Sequence, residues 1–163
     1  MSTTEALSMA FRDAMSRFAS GVTIVTTRDR SDVDWGFTAS AFSSLSLDPP
    51  LILVCLDRKA DSFPAFAAAQ SFAVSILAEG QSEIAQRFAT RGADKFSPGG
   101  LVAGPATSLP LVAGALAQLE CRMHAQLDGG DHIILVGAVL NAAVTDARPL
   151  VHYSRQFGGF RPA

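Results

Sequence analysis

Three histidines and two cysteines, with a scatter of hydroxyls and cations, are the side chains of this chain that have chemistry to offer. His124, His132 and His152 stand far apart, and nothing beside them completes a ligand set, so their spacing argues against a metal centre. Cys55 and Cys121 each lie inside an apolar run and read as inert core thiols, because two such residues make neither a disulfide framework nor a four-ligand zinc site. The G-x-x-x-x-G-K-[ST] phosphate loop, the G-x-G-x-x-G fingerprint, the G-x-S-x-G elbow and the H-E-x-x-H helix are absent. The usual handles of nucleotide-binding Rossmann domains, serine hydrolases and zinc proteases are therefore missing. Two places keep chemical interest. Ser62 opens a short helical pattern after Arg58-Lys59-Ala60-Asp61, and the free N–H groups of a helix start favour an anion, although a plain N-cap explains the same serine. His132 follows Gly129-Gly130-Asp131 at a strand end, where an imidazole reaches a pocket mouth; a surface histidine beside a turn fits equally.

The elements that must position these residues follow from periodicity. Leu7, Phe11, Met15 and Phe18 recur at helical spacing, which predicts an amphipathic helix over Thr4 to Ala19. Val22 to Thr27 reads as a β-branched strand, and the chain from Asp34 to Phe42 as extended again, with pairing ended by Pro49-Pro50. Leu51 to Leu56 is apolar throughout and is expected to be covered on both faces. Ser62 and Ser82 are expected to cap helices reaching Ala69 and Ala89, flanking a strand over Phe72 to Leu77. Thr90 to Pro110 has no clear period and reads as a long functional loop. From Ala117 to Asp128 alternate residues are apolar, predicting one core face and one wet face that carries Glu120. The glycines at 129 and 130 suit a tight hairpin, and Ile133 to Val144 returns as a partner strand. Strands joined mostly by turns, with no repeating βαβ unit, predict a mainly β single domain over residues 1–163, an antiparallel barrel closed or nearly so.

Composition sets limits on partners. Apolar residues make up 48% of the chain against 17% charged, a ratio that points to apolar surface meeting a second subunit, hence a homodimer. A net charge of −2 with no basic run argues against nucleic acid. No apolar stretch approaches the roughly 20 residues of a membrane helix, and Met1 to Glu5 lacks the basic start of a signal peptide; a cytoplasmic protein is expected.

Several linked segments carry a family likeness. Gly21 to Thr27, Gly36 to Phe42, Ser46 to Leu51, Leu116 to Cys121 and Gly130-Asp131-His132 resemble, in this order, the flavin reductase family, the small partners of two-component flavin monooxygenases. The likeness spans roughly residues 10 to 158 and implies a homodimeric split β-barrel that binds FMN or FAD and takes hydride from NADH or NADPH.

The resemblance also implies roles for particular residues. Thr38, Ala39, Ser40 and Ala41 match the stretch along the flavin ring, where small side chains let backbone amides approach. Cys55, Leu56 and Asp57, with the loop through Lys59, Ser62 and Phe63, match a second flavin-contacting stretch; Lys59 is either a phosphate partner or a solvated charge. Phe88 and Ala89, after Arg87, and Lys95 in the next loop resemble a third, although a helix end with a core phenylalanine explains the same letters. Gly130-Asp131-His132 corresponds to the motif associated with the nicotinamide nucleotide, which makes His132 the expected catalytic and NAD(P)H-positioning residue. Arg155, in the closing Tyr153-Ser154-Arg155 segment, is expected to touch a nucleotide phosphate or to pair with an acid at the dimer interface. Ala41 and Phe157 depart from the family's hydroxyl-bearing pattern, each removing a group that would retain flavin. The same letters fit a split-barrel electron carrier with no productive nicotinamide site, or a reductase of a non-flavin acceptor.

Overall fold

The computed structural model describes residues 1–163. In chain order the elements are α1 (Thr3–Ser16), β1 (Ser20–Gly21), β2 (Thr23–Arg28), β3 (Asp34–Ala39), β4 (Phe42–Ser46), β5 (Leu51–Asp57), α2 (Phe63–Ala67), β6 (Ser71–Ile76), α3 (Ser82–Ala89), β7 (Leu101–Ala103), β8 (Pro110–Val112), β9 (Ala117–Gly129), β10 (His132–Val144), β11 (Leu150–Tyr153) and β12 (Gln156–Gly159). Seven of the strands form one sheet in the order β3-β2-β6-β9-β10-β5-β4, and every neighbouring pair is antiparallel.

The two edge strands of this sheet, β3 and β4, are consecutive in the chain and separated only by Ser40 and Ala41. A flat sheet of seven strands would hold its edges roughly 29 Å apart. A two-residue link spans at most about 11 Å. The sheet must therefore curl until its edges meet, and Val25, Phe37 and Ala39 from one side share a core cluster with Ile52, Val54 and Leu56 from the other. Because β3 and β4 do not pair, a seam stays open, and the result is the expected antiparallel split barrel. The extended run foreseen over Asp34 to Phe42 is thus two strands broken at Ser40-Ala41.

The barrel's outer face is covered unevenly. The segment from Thr90 to Pro110 is not a bare loop: β7 pairs with β8, and this ribbon lies over β6 and β9, where Leu109 and Leu111 pack on Ala73. The cover buries Glu120 completely, against the expectation of a wet face on β9. Its carboxylate accepts hydrogen bonds from the Ala106 amide, from the Thr107 amide and hydroxyl (both 2.7 Å) and from the Asn141 side chain. Farther along the same strand the expected core residue Leu127 is 52% exposed, because the β9-β10 hairpin extends past the barrel wall. β5 also departs from expectation. Ile52, Val54 and Leu56 are buried, whereas Leu51, Leu53 and Cys55 are only half covered, since nothing in the chain layers over that face.

The helices differ in detail from their sequence signals. In α1 the Ser2 hydroxyl and the Glu5 carboxylate close a reciprocal capping box, but no residue of the helix is buried, and Leu7, Phe11, Met15 and the following Phe18 face outward. Ser62 and Ser82 make no side-chain caps: Ser62 precedes α2 with helical backbone angles, and Gln81 occupies the cap position of α3. Gln81 instead ties Ala78 to Ala113, accepting from one amide and donating to the other's carbonyl, both at 2.9 Å. Gly137 in β10 is demanded by packing, for a Cβ there would lie 2.6 Å from the Phe72 ring and 2.8 Å from Cys121.

Burial pushes the Glu120 carboxyl up, but the hydrogen bonds from Thr107, Ala106 and Asn141 outweigh that effect and hold it below the ordinary glutamate range. Its contribution to stability is therefore complete above that range and disappears as pH falls through the folded-state value. Glu120→Gln is expected to lose about 2–4 kcal/mol in urea titrations at neutral pH, and the gap from wild type should narrow as the solution is acidified from the ordinary glutamate range down through the lower folded-state value; a gap independent of pH would refute the assignment. Gly137→Ala is expected to cost about 1–3 kcal/mol in the same measurement, from overpacking against Phe72 and Cys121.

Candidate functional site

The open seam is also the wall of a cavity of about 540 Å³. Thr38, Ala39, Ser40 and Ala41 line it where β3 passes to β4, and Cys55, Leu56 and Asp57 where β5 ends. Lys59 and Ser62 come from the following loop, Phe88 and Ala89 from the end of α3, Lys95 from beyond it, and His132 from the start of β10. Residues read separately from three stretches and a hairpin thus converge on one concave site of the size usual for cofactors. Two candidates are not brought in. Phe63 packs instead against the barrel core beneath the Arg58 guanidinium, 6.0 Å from its ring centroid, and Arg155 lines a different cavity, behind Ser40 and Ala41.

Closure of the barrel explains this convergence, and local bonds make it rigid. His132 pairs in register with Asp57 across β10 and β5. The Arg58 amide donates to the Asp131 carbonyl at 3.0 Å, while its guanidinium donates to the Gly130 carbonyl at 3.0 Å and the Asp128 carboxylate at 2.7 Å. The hairpin carrying His132 and the loop carrying Lys59 are thereby locked together. Gly130 takes a φ of +76°, the left-handed conformation the turn requires. His132 Nδ1 lies 2.7 Å from an Asp131 carboxylate oxygen, and that hydrogen bond holds the Asp131 carboxyl below its ordinary range. The imidazole's orientation is fixed by its neighbour, leaving Nε2 as its free nitrogen.

Arg91 is a lining residue that the sequence alone did not reveal, and Phe37 at the end of β3 is another. The Arg91 guanidinium donates to the Lys59 carbonyl and lies 3.3 Å from the Asp61 carboxylate, joining the end of α3 to the loop before Ser62. The signal was its place two residues beyond Phe88-Ala89, but no helical period reaches it. Lys95 donates to the Gly36 carbonyl at 3.1 Å and is partly desolvated, which lowers the pKa of its ammonium group. Gly36 in turn lets α3 approach, since a Cβ there would meet the Phe88 ring at 2.7 Å.

Hydroxyl roles are sharper than the sequence suggested. Thr38 donates to the Ala85 carbonyl at 2.6 Å, so its proton fastens β3 to α3 and only its lone pairs face a ligand. Ser62 Oγ is buried and has no hydrogen-bond partner, an unmet demand that a ligand's polar group would satisfy. The thiols are poor nucleophiles: burial raises Cys55, and burial together with the Glu120 charge pushes Cys121 up to about 12.

The arrangement offers a slot walled by small residues, cations on one side and an oriented imidazole at the hairpin, with no strong base and no activated nucleophile. Such a site suits a planar cofactor that brings its own chemistry. Comparison with known proteins agrees. The chain is 47% identical over 147 residues to the actinorhodin polyketide dimerase of Streptomyces coelicolor, covering 90% of this chain and 82% of that protein. It is 41% identical to the reductase component of 4-hydroxyphenylacetate 3-monooxygenase from Thermus thermophilus, covering 91% and 93%. The solved structure of the Streptomyces globisporus NADH:FAD oxidoreductase SgcE6, in complex with NAD and FAD fragments, superposes with a TM-score of 0.89 at 36% identity, covering 95% of this chain and 93% of that one. The model of the flavin reductase like domain matches residues 15–161, and the chain belongs to that family.

Proposed function

We propose that the protein is an NAD(P)H:flavin reductase, and the observation that carries this reading is the convergence of Thr38 to Ala41, Cys55 to Ser62, Phe88 to Lys95 and His132 on one cavity. The residues present fit a flavin. Ala39, Ser40, Ala41 and Ala89 leave room for a flat ring, and the partnerless Ser62 hydroxyl beside Lys59 and Arg91 offers a donor and two cations to a phosphate. A bound flavin supplies the two-electron acceptor: one hydride from the nicotinamide nucleotide and one solvent proton convert it to its reduced form.

The protein's own part is positioning. His132, oriented by Asp131 and carried on the hairpin that Arg58 locks to the loop after β5, would hold the nicotinamide end of the donor beside a bound flavin. Hydride transfer depends steeply on the distance between the two rings, and orientation of this kind supplies several kcal/mol, up to about 7–11 in ideal cases. Likeness to a monooxygenase reductase component supports a separate monooxygenase as partner. No helix is long and apolar enough to cross a membrane. A single domain is part of the proposal, supported by the family match over residues 15–161, and so is a cytoplasmic location, supported by the likeness to a monooxygenase reductase component.

A homodimer completes this reading. Phe11, Met15 and Phe18 lie exposed around a second cavity that shares Ser40, Ala41 and Cys55 with the first and also holds Phe42, Leu53 and Arg155. A second copy seated there would cover the bare faces of α1 and β5 and back the flavin site from behind.

His132→Ala is expected to raise the KM for NADH or NADPH at least about tenfold in assays of flavin-dependent nucleotide oxidation while leaving the flavin Kd unchanged. Flavin binding by the wild type without oxidation of either nucleotide would make the protein a carrier and sink the reductase reading. Phe11→Asp is expected to convert a dimer to monomers in sedimentation; a wild-type monomer would refute the dimer.

A further inference from the structure

We propose that Arg58 is a positioning residue for the hydride donor: it lies outside the cavity lining, yet it holds the hairpin turn that aims His132 and so sets the affinity for the nicotinamide nucleotide. This rests on the reading of His132 given above. From Cys55 to Ser62 every residue lines the first cavity except Arg58, whose side chain reaches instead to the turn between β9 and β10.

The sheet gives this turn little support. β6 pairs with β9 only as far as Arg122, so Met123 to Gly129 form an outer edge that β10 alone backs. On the other side β5 ends at Asp57, opposite His132, and Asp128 to Asp131 project beyond it, all of them exposed. Gln126 ties the hairpin lower down to the Ala67 carbonyl at 3.1 Å, but the hydrogen bonds that reach the turn itself from outside the hairpin all come from Arg58. Its amide donates to the Asp131 carbonyl and its Nε to the Gly130 carbonyl, both at 3.0 Å, and its Nη2 donates to the Asp128 carboxylate at 2.7 Å. The same guanidinium stands 6.0 Å from the centre of the Phe63 ring, and Phe63 packs on the barrel core, which gives the clamp a fixed footing.

What the clamp holds is the base of the imidazole. Asp131, which orients His132 through Nδ1, sits in the clamped turn, so a loose turn would let both residues wander and nucleotide binding would bear the cost of ordering them. The planar guanidinium suits this place because its Nε and Nη2 edges meet a carbonyl and a carboxylate together at fixed spacing, which a single ammonium does not reproduce. Both members of the Arg58–Asp128 pair are exposed and the pair alone contributes little, so the charge-assisted bond to the Gly130 carbonyl is the larger part of the side chain's hold.

The test is a double-mutant cycle on the full chain, Arg58→Ala with and without His132→Ala, reading the KM for NADH in flavin-dependent oxidation and the flavin Kd by titration. Arg58→Ala alone is expected to raise the KM about five- to tenfold, the scale of a net hydrogen bond, and to leave the flavin Kd within about twofold of wild type. In the His132→Ala background the same change is expected to raise the KM no further, because Arg58 acts through that imidazole. Arg58→Lys keeps the charge and the aliphatic stem; it is expected to recover only part of the affinity, and it carries the test if the alanine variant does not fold. A KM unchanged by both Arg58 variants, while His132→Ala raises it, overturns the clamp alone. So does an equal rise from Arg58→Ala in both backgrounds, or a flavin Kd that weakens in step with the KM, either of which marks a general loss of structure. A KM unchanged in His132→Ala refutes the nicotinamide reading of that histidine, and the clamp falls with it.

Discussion

Everything in this molecule that bears on function follows from one covalent constraint: Ser40 and Ala41 must join the two edges of a seven-stranded sheet. The link is too short for a flat sheet, so the strands curl, and the hydrophobic face of β2 and β3 finds its partner in that of β5 and β10. Because the joined strands do not pair with each other, curling ends in a seam. Backbone with small side chains lies open there, beside the ends of β5 and α3, and the cavity is the consequence. Fold and site are one solution to the same geometric demand.

Much of this was legible in the sequence, for physical reasons that differ by element. The strands β2, β6, β9 and β10 announced themselves through β-branched composition, alternation and the glycine turn, all properties local to the chain. The family likeness singled out the stretches expected to face a flavin, and the structure brings nearly all of their named residues to one cavity. What failed was whatever depended on distant cover. Glu120 looked solvent-facing because alternation says which face a residue lies on but not what lies on that face, and here the β7-β8 ribbon does. Leu53 and Leu51 looked doubly buried because an apolar run does not say whether a layer is present. Arg91 was missed because its contacts, to Lys59 and Asp61, are more than 25 residues away in the chain and have no periodic signature.

The polar contacts divide into two kinds. Some hold the frame: Glu120 gathers the Ala106 and Thr107 amides under the ribbon, and Thr38 fastens β3 to α3. Others hold the cavity's rim: Arg58 binds the loop after β5 to the His132 hairpin, and Arg91 binds that loop to the end of α3. The frame contacts are at least partly buried, whereas the rim combines exposed ion pairs of small individual strength with hydrogen bonds to backbone carbonyls. The frame thus fixes the barrel, and the rim contacts fix the hairpin and the loop relative to each other around the cavity.

The raised thiols have a bearing on how such an enzyme survives its own product. Reduced flavin that meets dioxygen before it meets a monooxygenase yields hydrogen peroxide, released within reach of the protein that made it. Peroxide attacks thiolates, and the oxidation that follows can run to irreversible acids. Cys55 lines the cavity and is half covered, and that partial burial raises its pKa, while Cys121 inside the barrel is pushed up to about 12. The chain can carry sulfur beside a generator of oxidant because desolvation, partial at Cys55 and deep at Cys121, disfavours the thiolate that peroxide attacks.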